Sequence, residues 1–404
     1  MWQALAQDGR IPFEVWYVTD RHTLLSHDRE FAKTFAWDIE TLEGYPYRFL
    51  NAAPGATPSS FWNCRISEDL AARLKNAGAQ ALWIQGWQVA AYWQAAFLAK
   101  RASVDLWLRA ESNDLKHVPL WKRLLKRWML GQFFRRVDHF LYIGIANRRL
   151  YESYGAPAEN LHAAPYAVDN ERFARQAAKL RPQRASLRQQ WGIPDDAFCV
   201  LFCGKFIPKK HPAELIAAAR LLHQNGRVPN IHLLFVGSGK LGAELRRRCS
   251  IGFDADAGGL QQRPHNEQSW RPPATFAGFL NQSEVSRAYV AADCLVLPSD
   301  TGETWGLVVN EAMASGLPCA ASRACGCSDD LLIPDWPERT FETGDEAGIA
   351  NSIVQIYRGN RSGDAERRRI SSYSIQSTLE QVLYLYQARL PHSMDTGSAC
   401  PPLP

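Results

Sequence analysis

The sequence of this 404-residue chain lacks the signatures of a metal enzyme and of a membrane-spanning protein. No second pair of cysteines or histidines stands at zinc-site spacing from Cys325 and Cys327, and no Asp-x-Asp pair follows a predicted strand, so we expect no metal site. One uncharged stretch, residues 81–99, has nearly the length of a bilayer span, but polar residues interrupt it. The interrupting residues are Gln85, Gly86, Gln88 and Gln94. We interpret the stretch as a strand followed by a buried helix.

The chain also lacks a strong charge imbalance and a disulfide framework. Its formal net charge is +5, with 22% charged and 46% hydrophobic residues, which is typical of a soluble globular protein. The nine cysteines are odd in number and lie largely in apolar segments, and no charged-then-apolar signal segment opens the sequence. We therefore expect a reduced, cytosolic protein. A length of 404 residues favours two domains.

The second half of the sequence alternates short apolar segments with helical ones. This alternation predicts an α/β domain with a parallel, doubly wound sheet, which binds ligands at the carboxyl ends of its strands. The predicted strands are 198–203, 231–236, 275–277, 294–297 and 317–321. The predicted helices are 212–223, 240–248, 283–291 and 307–314. Residues 250–273 are rich in Gly, Gln, Pro and Asp, and we interpret them as an exposed insertion.

The first half has the same rhythm and predicts a second Rossmann-like domain. Its predicted strands are 14–18, 47–50, 81–84, 104–108 and 140–143. Its predicted helices are 68–76, 88–100, 120–135 and 146–154. The apolar pattern gives way to a basic stretch over residues 175–188, so we place one domain at 1–180 and another at 181–390. Residues 391–404 are expected to form a disordered tail.

The segment 297–322 sets two carboxylates across a glycine-bearing turn. Glu303 falls in a predicted loop and Glu311 in the helix that follows it, which ends at Gly316. A loop ahead of a helix N-terminus presents unpaired backbone N–H groups and a positive dipole end, which suits a phosphate. Two nearby carboxylates can accept hydrogen bonds from sugar hydroxyls. The segment is therefore suited to a nucleotide sugar.

Another glycine turn, Gly204 followed by Lys205, Lys209 and Lys210, joins a predicted strand to a predicted helix. Basic side chains at a strand's carboxyl end are well placed to neutralise a diphosphate, and a solvated lysine loop is the alternative. This turn and the Glu303 loop both follow strands, so they should meet at one edge of the sheet. Further candidate contacts for a nucleotide in strand-end turns are Gly237, Gly278, Phe279 and Leu280.

Five segments occur in one order: GKFIPKKH, LLFVGSG, TFAGFL, ADCLVLPS and ETWGLVVNEAMASGLPCAAS. Together they resemble the donor-binding half of the retaining glycosyltransferases of family four, the glycosyl transferases group 1 with a GT-B fold. The similarity covers most of residues 198–322. The run PYAVDNERF at 165–173 also resembles the end of that family's first domain, although Tyr166 and Ala167 replace its usual Asn-Gly. The resemblance implies two Rossmann-like, doubly wound domains facing a central cleft.

The resemblance further implies a role for each matching residue. The donor diphosphate is expected on Lys205 and Lys210, the donor sugar on Glu303, the ribose on Glu311, and the phosphates on the N–H groups of Gly306 and Leu307. It implies no cofactor besides the nucleotide-diphosphate sugar and no metal for the leaving group. Fixed cations aimed at the departing diphosphate lower the barrier, and we expect same-face attack by the acceptor.

The acceptor half departs from the family in two places. Gln85 stands at a strand end where relatives often carry His-Gly, and Arg109 and Glu111 after the next strand are the other catalytic candidates. Arg109 and Glu111 could equally form a structural ion pair. Relatives also begin with a strand and a glycine loop before the first helix, whereas this chain opens at Met1 with helix-forming residues. Either the natural start lies upstream of Met1, which we favour, or the first domain lacks a central strand.

Residues 115–137 contain seven basic residues and no acid. Trp121, Leu124, Leu125 and Trp128 fall on one face of the predicted helix, and the basic residues line the other. A helix lying on an anionic membrane and a core helix with a basic outer face both fit this pattern. No stacking platform accompanies the charge, so a nucleic-acid partner is not expected.

The sequence thus predicts a cytosolic, metal-independent, retaining glycosyltransferase that transfers a sugar from a nucleotide-diphosphate sugar. Its acceptor is expected to be a glycan or a lipid-linked molecule of polysaccharide or glycolipid synthesis, presented at the inner face of a membrane. The alternative is a catalytically inactive protein that binds nucleotide sugars or serves as a scaffold.

Overall fold

The computed structural model describes residues 1–19, 26–28, 33–35, 42–50, 60–115, 119–261, 270–359 and 362–388. The chain divides into two compact units. Unit 1 consists of Met1–Leu24, Glu40–Tyr166 and Ile375–Pro404, and unit 2 of Leu25–Ile39 and Ala167–Ser374. The expected disordered tail, residues 391–404, lies outside the described residues.

The first elements of the chain are a helix and two strand pairs. They are α1 (Trp2–Asp8), β1 (Val15–Tyr17), β2 (Ser26–Asp28), β3 (Lys33–Phe35) and β4 (Tyr47–Phe49). β1 pairs with β4 in parallel, and β2 pairs with β3 in antiparallel orientation. Strands were predicted at both β1 and β4.

Of these first elements, β2 and β3 belong to unit 2 and the others to unit 1. Unit 1 also contains a parallel sheet of four strands with helices between them. The elements are α2 (Leu70–Asn76), β5 (Ala81–Ile84), α3 (Ala90–Arg101), β6 (Asp105–Leu108), α4 (Leu120–Phe134), β7 (His139–Tyr142), α5 (Ile145–Ser153) and β8 (Leu161–Ala163). The strands follow the order β5–β6–β7–β8. The stretch 81–99 thus forms a strand and the greater part of a helix, as predicted. No helix in the described part of the chain is both long and apolar enough to cross a membrane.

Small side chains bring α3 close to the sheet of unit 1. Five of its alanines are buried, and four of them belong to the same core cluster as Leu106, Phe133, Phe140 and Tyr151. Alanine also has the highest helix propensity, so the residues that allow close packing favour the helix as well. The carboxyl ends of β5, β6 and β7 are thereby held side by side at one edge of the sheet.

Unit 2 contains an eight-stranded sheet. Its helices are α6 (Asn170–Leu180), α7 (Arg184–Gln190), α8 (Pro212–Gln224), α9 (Gly242–Arg247), α10 (Ser286–Ala291), α11 (Leu307–Ala314), α12 (Glu346–Arg358) and α13 (Asp364–Ser371). Its strands are β9 (Phe198–Cys203), β10 (Ile231–Val236), β11 (Ser250–Asp254), β12 (Gly259–Leu260), β13 (Pro273–Gly278), β14 (Cys294–Leu297), β15 (Cys319–Ser322) and β16 (Thr340–Phe341). The order is β12–β11–β13–β10–β9–β14–β15–β16. Within the sheet β12 pairs antiparallel and the other strands pair in parallel.

The central strands of unit 2 are buried along their length. All six residues of β10 and five of the six in β9 are buried. Continuous apolar runs are typical of parallel strands covered on both faces, which explains why these strands were predicted at the same bounds. All eight described cysteines carry free thiols, and most of them are buried.

The interpretation of residues 250–273 as an exposed insertion was wrong for its first part. Ser250–Asp254 forms β11, which pairs with β13 and adds a strand to the sheet. Only two of its five residues are buried, so the segment has no apolar run to indicate a strand. Pairing with β13, rather than local composition, makes it a strand.

The last helix, α14 (Ile375–Gln387), belongs to unit 1 rather than unit 2. Val382 and Leu385 pack in a buried cluster with Trp107, Leu141 and Ala164, and α14 also contacts α1. Apart from the short segment Leu25–Ile39, the units therefore change after residues 166 and 374, whereas the sequence placed one boundary near 180 and kept the final helix in the second domain. A return of the chain to its first unit leaves no local signal in the sequence.

Candidate functional site

Three strand-end turns, at Gly204, Gly237 and Gly278, meet at one edge of the sheet in unit 2. The N–H of Gly204 donates to the Val236 carbonyl at 2.9 Å, and the N–H of Gly237 donates to the Gly278 carbonyl at 2.8 Å. A Cβ atom on Gly237 would overlap the Gly204 carbonyl oxygen. Glycine is therefore needed at position 237, where the backbones of two turns touch. Gly278 is buried there, and Phe279 and Leu280 beside it are partly exposed.

An ion pair between Lys210 and Glu303 joins two of the predicted segments. The side chains are 17% and 15% exposed. The backbones are joined as well, because the N–H of Asp300 donates to the Lys209 carbonyl at 2.9 Å. Lys205, in the same glycine turn, is partly buried. The structure therefore brings the lysine turn and the Glu303 loop together at the edge where their strands end.

His211 closes the lysine turn in a left-handed conformation, with φ 50°. Its Nδ1 lies 2.5 Å from Glu214 Oε1 and its Nε2 lies 3.7 Å from Asp300 Oδ2. A left-handed backbone is uncommon for a residue with a side chain, so neighbouring contacts must stabilise it. The two carboxylates hold the ring between α8 and the Glu303 loop. This contact helps to fix Lys210 in place.

The Glu303 loop leads into the N-terminus of α11 through Gly306. Gly306 has φ 107°, and a Cβ there would lie 2.6 Å from Leu297 Cδ2 and 3.3 Å from Cys327 Sγ. Trp305 is buried and donates its ring N–H to Asn310 Oδ1 at 2.8 Å, which locks the entry to the helix. The first N–H groups of a helix have no partner within it. The turn thus presents the N–H groups at Leu307 beside Glu303.

Glu311 lies further along α11 and is tied to the sheet edge by residues that the sequence did not single out. The Tyr289 hydroxyl donates to Glu311 Oε2 at 2.5 Å. Burial raises the pKa of Glu311, and hydrogen bonds from Tyr289 and Gln282 and the charge of Arg172 oppose the rise. Arg172 itself donates to Gln282 Oε1 at 2.7 Å. Tyr289 and Arg172 could not be predicted from the sequence, because they lie on two other helices, α10 and α6, far from Glu311 along the chain.

An Asp-x-Asp pair does follow a strand of the structure, because β11 was not predicted. Asp254 ends this strand and Asp256 follows two residues later. Arg246 from α9 binds both carboxylates, Asp254 at 2.6 and 2.8 Å and Asp256 at 2.9 Å. The pair is therefore engaged by an arginine. Among the described residues, no three His, Cys, Asp or Glu side chains group in a way that could hold a metal ion.

The acceptor candidates lie at the carboxyl edge of the sheet in unit 1. Gln85 directly follows β5, and Arg109 directly follows β6, where its N–H donates to the Ile84 carbonyl at 3.0 Å. Arg109 is buried, whereas Glu111 is exposed. No ion pair joins Arg109 to Glu111, so the structural alternative for these two residues is not formed. The guanidinium of Arg109 instead lies over the ring of Tyr166, 5.1 Å from its centroid.

The opposite edge of this sheet carries a cavity of about 810 Å³ beside α4. Its lining includes Asp105, Asp138 and His139 at the amino ends of β6 and β7, together with Arg127 and Arg135. None of the acceptor candidates borders it. Parallel sheets bind ligands at their carboxyl edge, so we do not assign the acceptor to this cavity.

The first half of α4 exposes its apolar face. Six large side chains there are 43–67% exposed: Leu120, Trp121, Leu124, Leu125, Trp128 and Met129. At about 100° per residue they cover about half of the helix circumference, and Lys126 and Arg127 lie on the other half. Burial begins at Leu130. A core helix with a basic outer face is therefore the wrong interpretation for this part of α4.

Comparisons with known proteins show which protein family and which known folds this chain resembles. Residues 197–359 match the family model of the glycosyl transferases group 1. The fold resembles Anabaena HepE in complex with UDP and glucose, with a TM-score of 0.55, 17% identity, and 86% of this chain and 87% of that one covered. It also resembles sucrose-phosphate synthase from Thermosynechococcus elongatus, with a TM-score of 0.57, 20% identity and coverage of 87% and 84%. The predicted α/β fold class, GT-B with Rossmann-like units, is confirmed.

Relatives in sequence lead to the same family. Sulfoquinovosyl transferase SQD2 from Arabidopsis thaliana is 28% identical over 60% of this chain and 42% of its own length. A D-inositol 3-phosphate glycosyltransferase from Nocardioides is 32% identical over 60% of this chain and 52% of its own length. The chain thus spans about half the length of these relatives. With the match of residues 197–359 to the glycosyl transferases group 1, the predicted family resemblance is confirmed.

Proposed function

We propose that the chain is a retaining glycosyltransferase that uses a nucleotide-diphosphate sugar as its donor. The observation that carries the proposal is the Lys210–Glu303 pair, set between touching glycine turns and the N-terminus of α11. At this edge of the sheet, the lysine cation and the N–H groups suit the diphosphate of such a donor. The carboxylate suits the hydroxyls of its sugar. The UDP complex of HepE, a protein of the same fold, supports a nucleotide at this class of site.

Each group in unit 2 has a part in donor binding. Lys205 and Lys210 take the diphosphate, assisted by the N–H groups at Gly306 and Leu307. Glu303 accepts hydrogen bonds from hydroxyls of the donor sugar, and Glu311 accepts from the ribose. The turns at Gly204, Gly237 and Gly278, with Phe279 and Leu280, surround the nucleotide with main-chain donors and acceptors.

Lys210 has a further role in the chemistry. As the bond to the sugar breaks, positive charge develops on the sugar ring and negative charge on the departing diphosphate. A preorganised cation stabilises the second charge, and removing one such group lowers rates by about 10²-fold. With the lysines and the helix N-terminus in this role, we propose that departure needs no metal ion.

The acceptor binds at the carboxyl edge of unit 1, where Gln85, Arg109 and Glu111 are its candidate contacts. A glycan or lipid-linked acceptor is favoured because α4, in the same unit, carries the features of a membrane-surface helix. Exposed tryptophans and leucines insert among lipid chains, and Lys126 and Arg127 attract anionic headgroups. We therefore propose a cytoplasmic protein that contacts the inner face of a membrane and acts in polysaccharide or glycolipid synthesis.

The proposal is tested by offering the purified chain a panel of nucleotide sugars with membrane extract as acceptor source. Release of nucleoside diphosphate is measured with and without a chelator, and the configuration of the new linkage is read by NMR. We expect release from one donor, unchanged by chelator, with retention at the anomeric carbon. Full activity in Glu303→Ala or Lys210→Ala rejects the site, and donor binding without release supports the catalytically inactive alternative.

A further inference from the structure

A buried positive charge stands at the carboxyl end of β6. Arg109 is 7% exposed, and its Nε is fully buried with no hydrogen-bond partner among the described residues. Among the described residues, its guanidinium contacts the ring face of Tyr166. Tyr166 is itself partly exposed. A guanidinium carries five N–H donors, and an aromatic face satisfies none of them in the way an oxygen does.

Burying a charge without a counter-ion is unfavourable, so such a group needs a compensating partner. Burial lowers the pKa of Arg109, yet an arginine stays charged at neutral pH. The nearby acid Glu111 is exposed and forms no ion pair with it. Within the described part of unit 1 the guanidinium thus has no directly bound counter-ion, and the charge of Glu111 attracts it only from farther away.

Hydrogen bonds hold the loop that carries this arginine against α5. The N–H of Ala110 donates to the Tyr151 hydroxyl at 2.9 Å, and Asn147 Nδ2 donates to the Ser112 carbonyl at 2.5 Å. Tyr166 lies on the other side, with its N–H on the Ile143 carbonyl at 3.1 Å. The N-terminus of α5 opens at the same edge directly after β7, and a helix N-terminus favours an anion. The edge is thus preorganised around one buried cation that has no directly bound counter-ion.

We propose that Arg109, with Tyr166 and the N-terminus of α5, binds an anionic group of the acceptor, a phosphate or a carboxylate. A guanidinium matches the paired oxygens of either group with two parallel hydrogen bonds. This inference rests on the proposed function and adds the charge class of the acceptor to it. Glu111, exposed at the same edge, disfavours a second negative charge and so limits which anions bind.

The experiment measures Tm of the full chain saturated with whichever of UDP and GDP stabilises it, so that the phosphate contacts of unit 2 are already occupied. Glucose 6-phosphate, glucuronate and neutral glucose are then compared, with dihexanoyl phosphatidic acid as a lipid source of the same phosphate. We expect the anions to raise Tm by about 2–4 °C at saturation and glucose to have no effect. Whichever of glucose 6-phosphate and dihexanoyl phosphatidic acid raises Tm more identifies the source of the phosphate.

Arg109→Gln is expected to weaken anion binding by about 10- to 100-fold, and Glu111→Gln, at an exposed position, to tighten it. An anion response that is absent from the wild type, or unchanged in Arg109→Gln, overturns the inference. If Arg109→Gln does not fold, a Glu111→Gln variant without tighter binding overturns it. Failure of both nucleotides to raise Tm counts instead against the proposed function, and the anion titration is then read in Lys210→Met without nucleotide.

Discussion

Replacing Lys210 by methionine keeps most of the length of the side chain and removes its charge. The carboxylate of Glu303 then stays in place and loses the lysine that pairs with it here, with 15% of its side chain exposed. An exposed ion pair contributes about 0–1 kcal/mol, whereas breaking a buried one costs about 3–5 kcal/mol. At the exposure of this pair we expect Lys210→Met to lower the free energy of unfolding of unit 2 by about 2 kcal/mol.

The double variant Lys210→Met with Glu303→Gln separates the structural contribution from the functional one. Because it removes the carboxylate charge together with the lysine charge, much of the lost stability should return, with a coupling energy of about 1–2 kcal/mol. Donor turnover should not return, since the cation that meets the diphosphate is still missing. We expect kcat/KM to fall about 10²-fold in each single variant and at least as far in the double one.

Urea unfolding followed by tryptophan fluorescence measures these free energies. The transition that reports unit 2 is the one whose midpoint rises with bound nucleotide. Lys209→Met is the matched control, because this neighbouring lysine is exposed, and its effect should stay within about 0.5 kcal/mol. A coupling energy near zero, or wild-type turnover in the double variant, refutes the reasoning.

Three further predictions concern other parts of the chain. Gly237→Ala should lower the free energy of unfolding by about 3 kcal/mol, because its Cβ overlaps a neighbouring carbonyl oxygen. Gly258→Ala, also at positive φ but with open space around it, should lower it by only about 1 kcal/mol. Equal losses of stability in urea unfolding would contradict this prediction. Burial raises the pKa of Glu311, so the stability of unit 2 should fall as pH rises from about 4.5 through that pKa, while nucleotide affinity rises as the carboxylate forms. Urea unfolding and calorimetry in Glu311→Gln should both lose this dependence, and an unchanged slope counts against the assignment. Binding to anionic vesicles, measured by flotation, should weaken about tenfold in Trp128→Ser. It should not weaken in Trp62→Ser, although the two side chains are 67% and 66% exposed. Equal binding by the two variants would show that α4 is a surface helix without a role at the membrane.

Much of unit 2 could be predicted from sequence because its strands are buried on both faces. Such strands appear as unbroken apolar runs between helices, and β9, β10 and β14 have the predicted bounds. The strand β11 could not be predicted, since it is a partly exposed segment that pairing with β13 turns into a strand. The membership of α14 in unit 1 was also missed, because packing between distant segments is not encoded in local periodicity.

The candidate site shows the same division. The order of strands predicts that the lysine turn and the Glu303 loop meet, and the Lys210–Glu303 pair is that meeting. Tyr289 and Arg172 were not predicted, because a tyrosine and an arginine on two other helices look like ordinary packing and surface residues. Only the folded chain places the Tyr289 hydroxyl on Glu311.

The position of α14 after the Ala167–Ser374 segment has a consequence for synthesis. Trp107, Leu141 and Ala164 leave the ribosome before any of the Ala167–Ser374 segment, but Val382 and Leu385, which cover them, leave after all of it. Unit 1 therefore begins first and is completed last, and its apolar surface stays open while unit 2 is made. A stop codon ahead of residue 375 would therefore damage unit 1, although most of that unit is encoded upstream of Ala167.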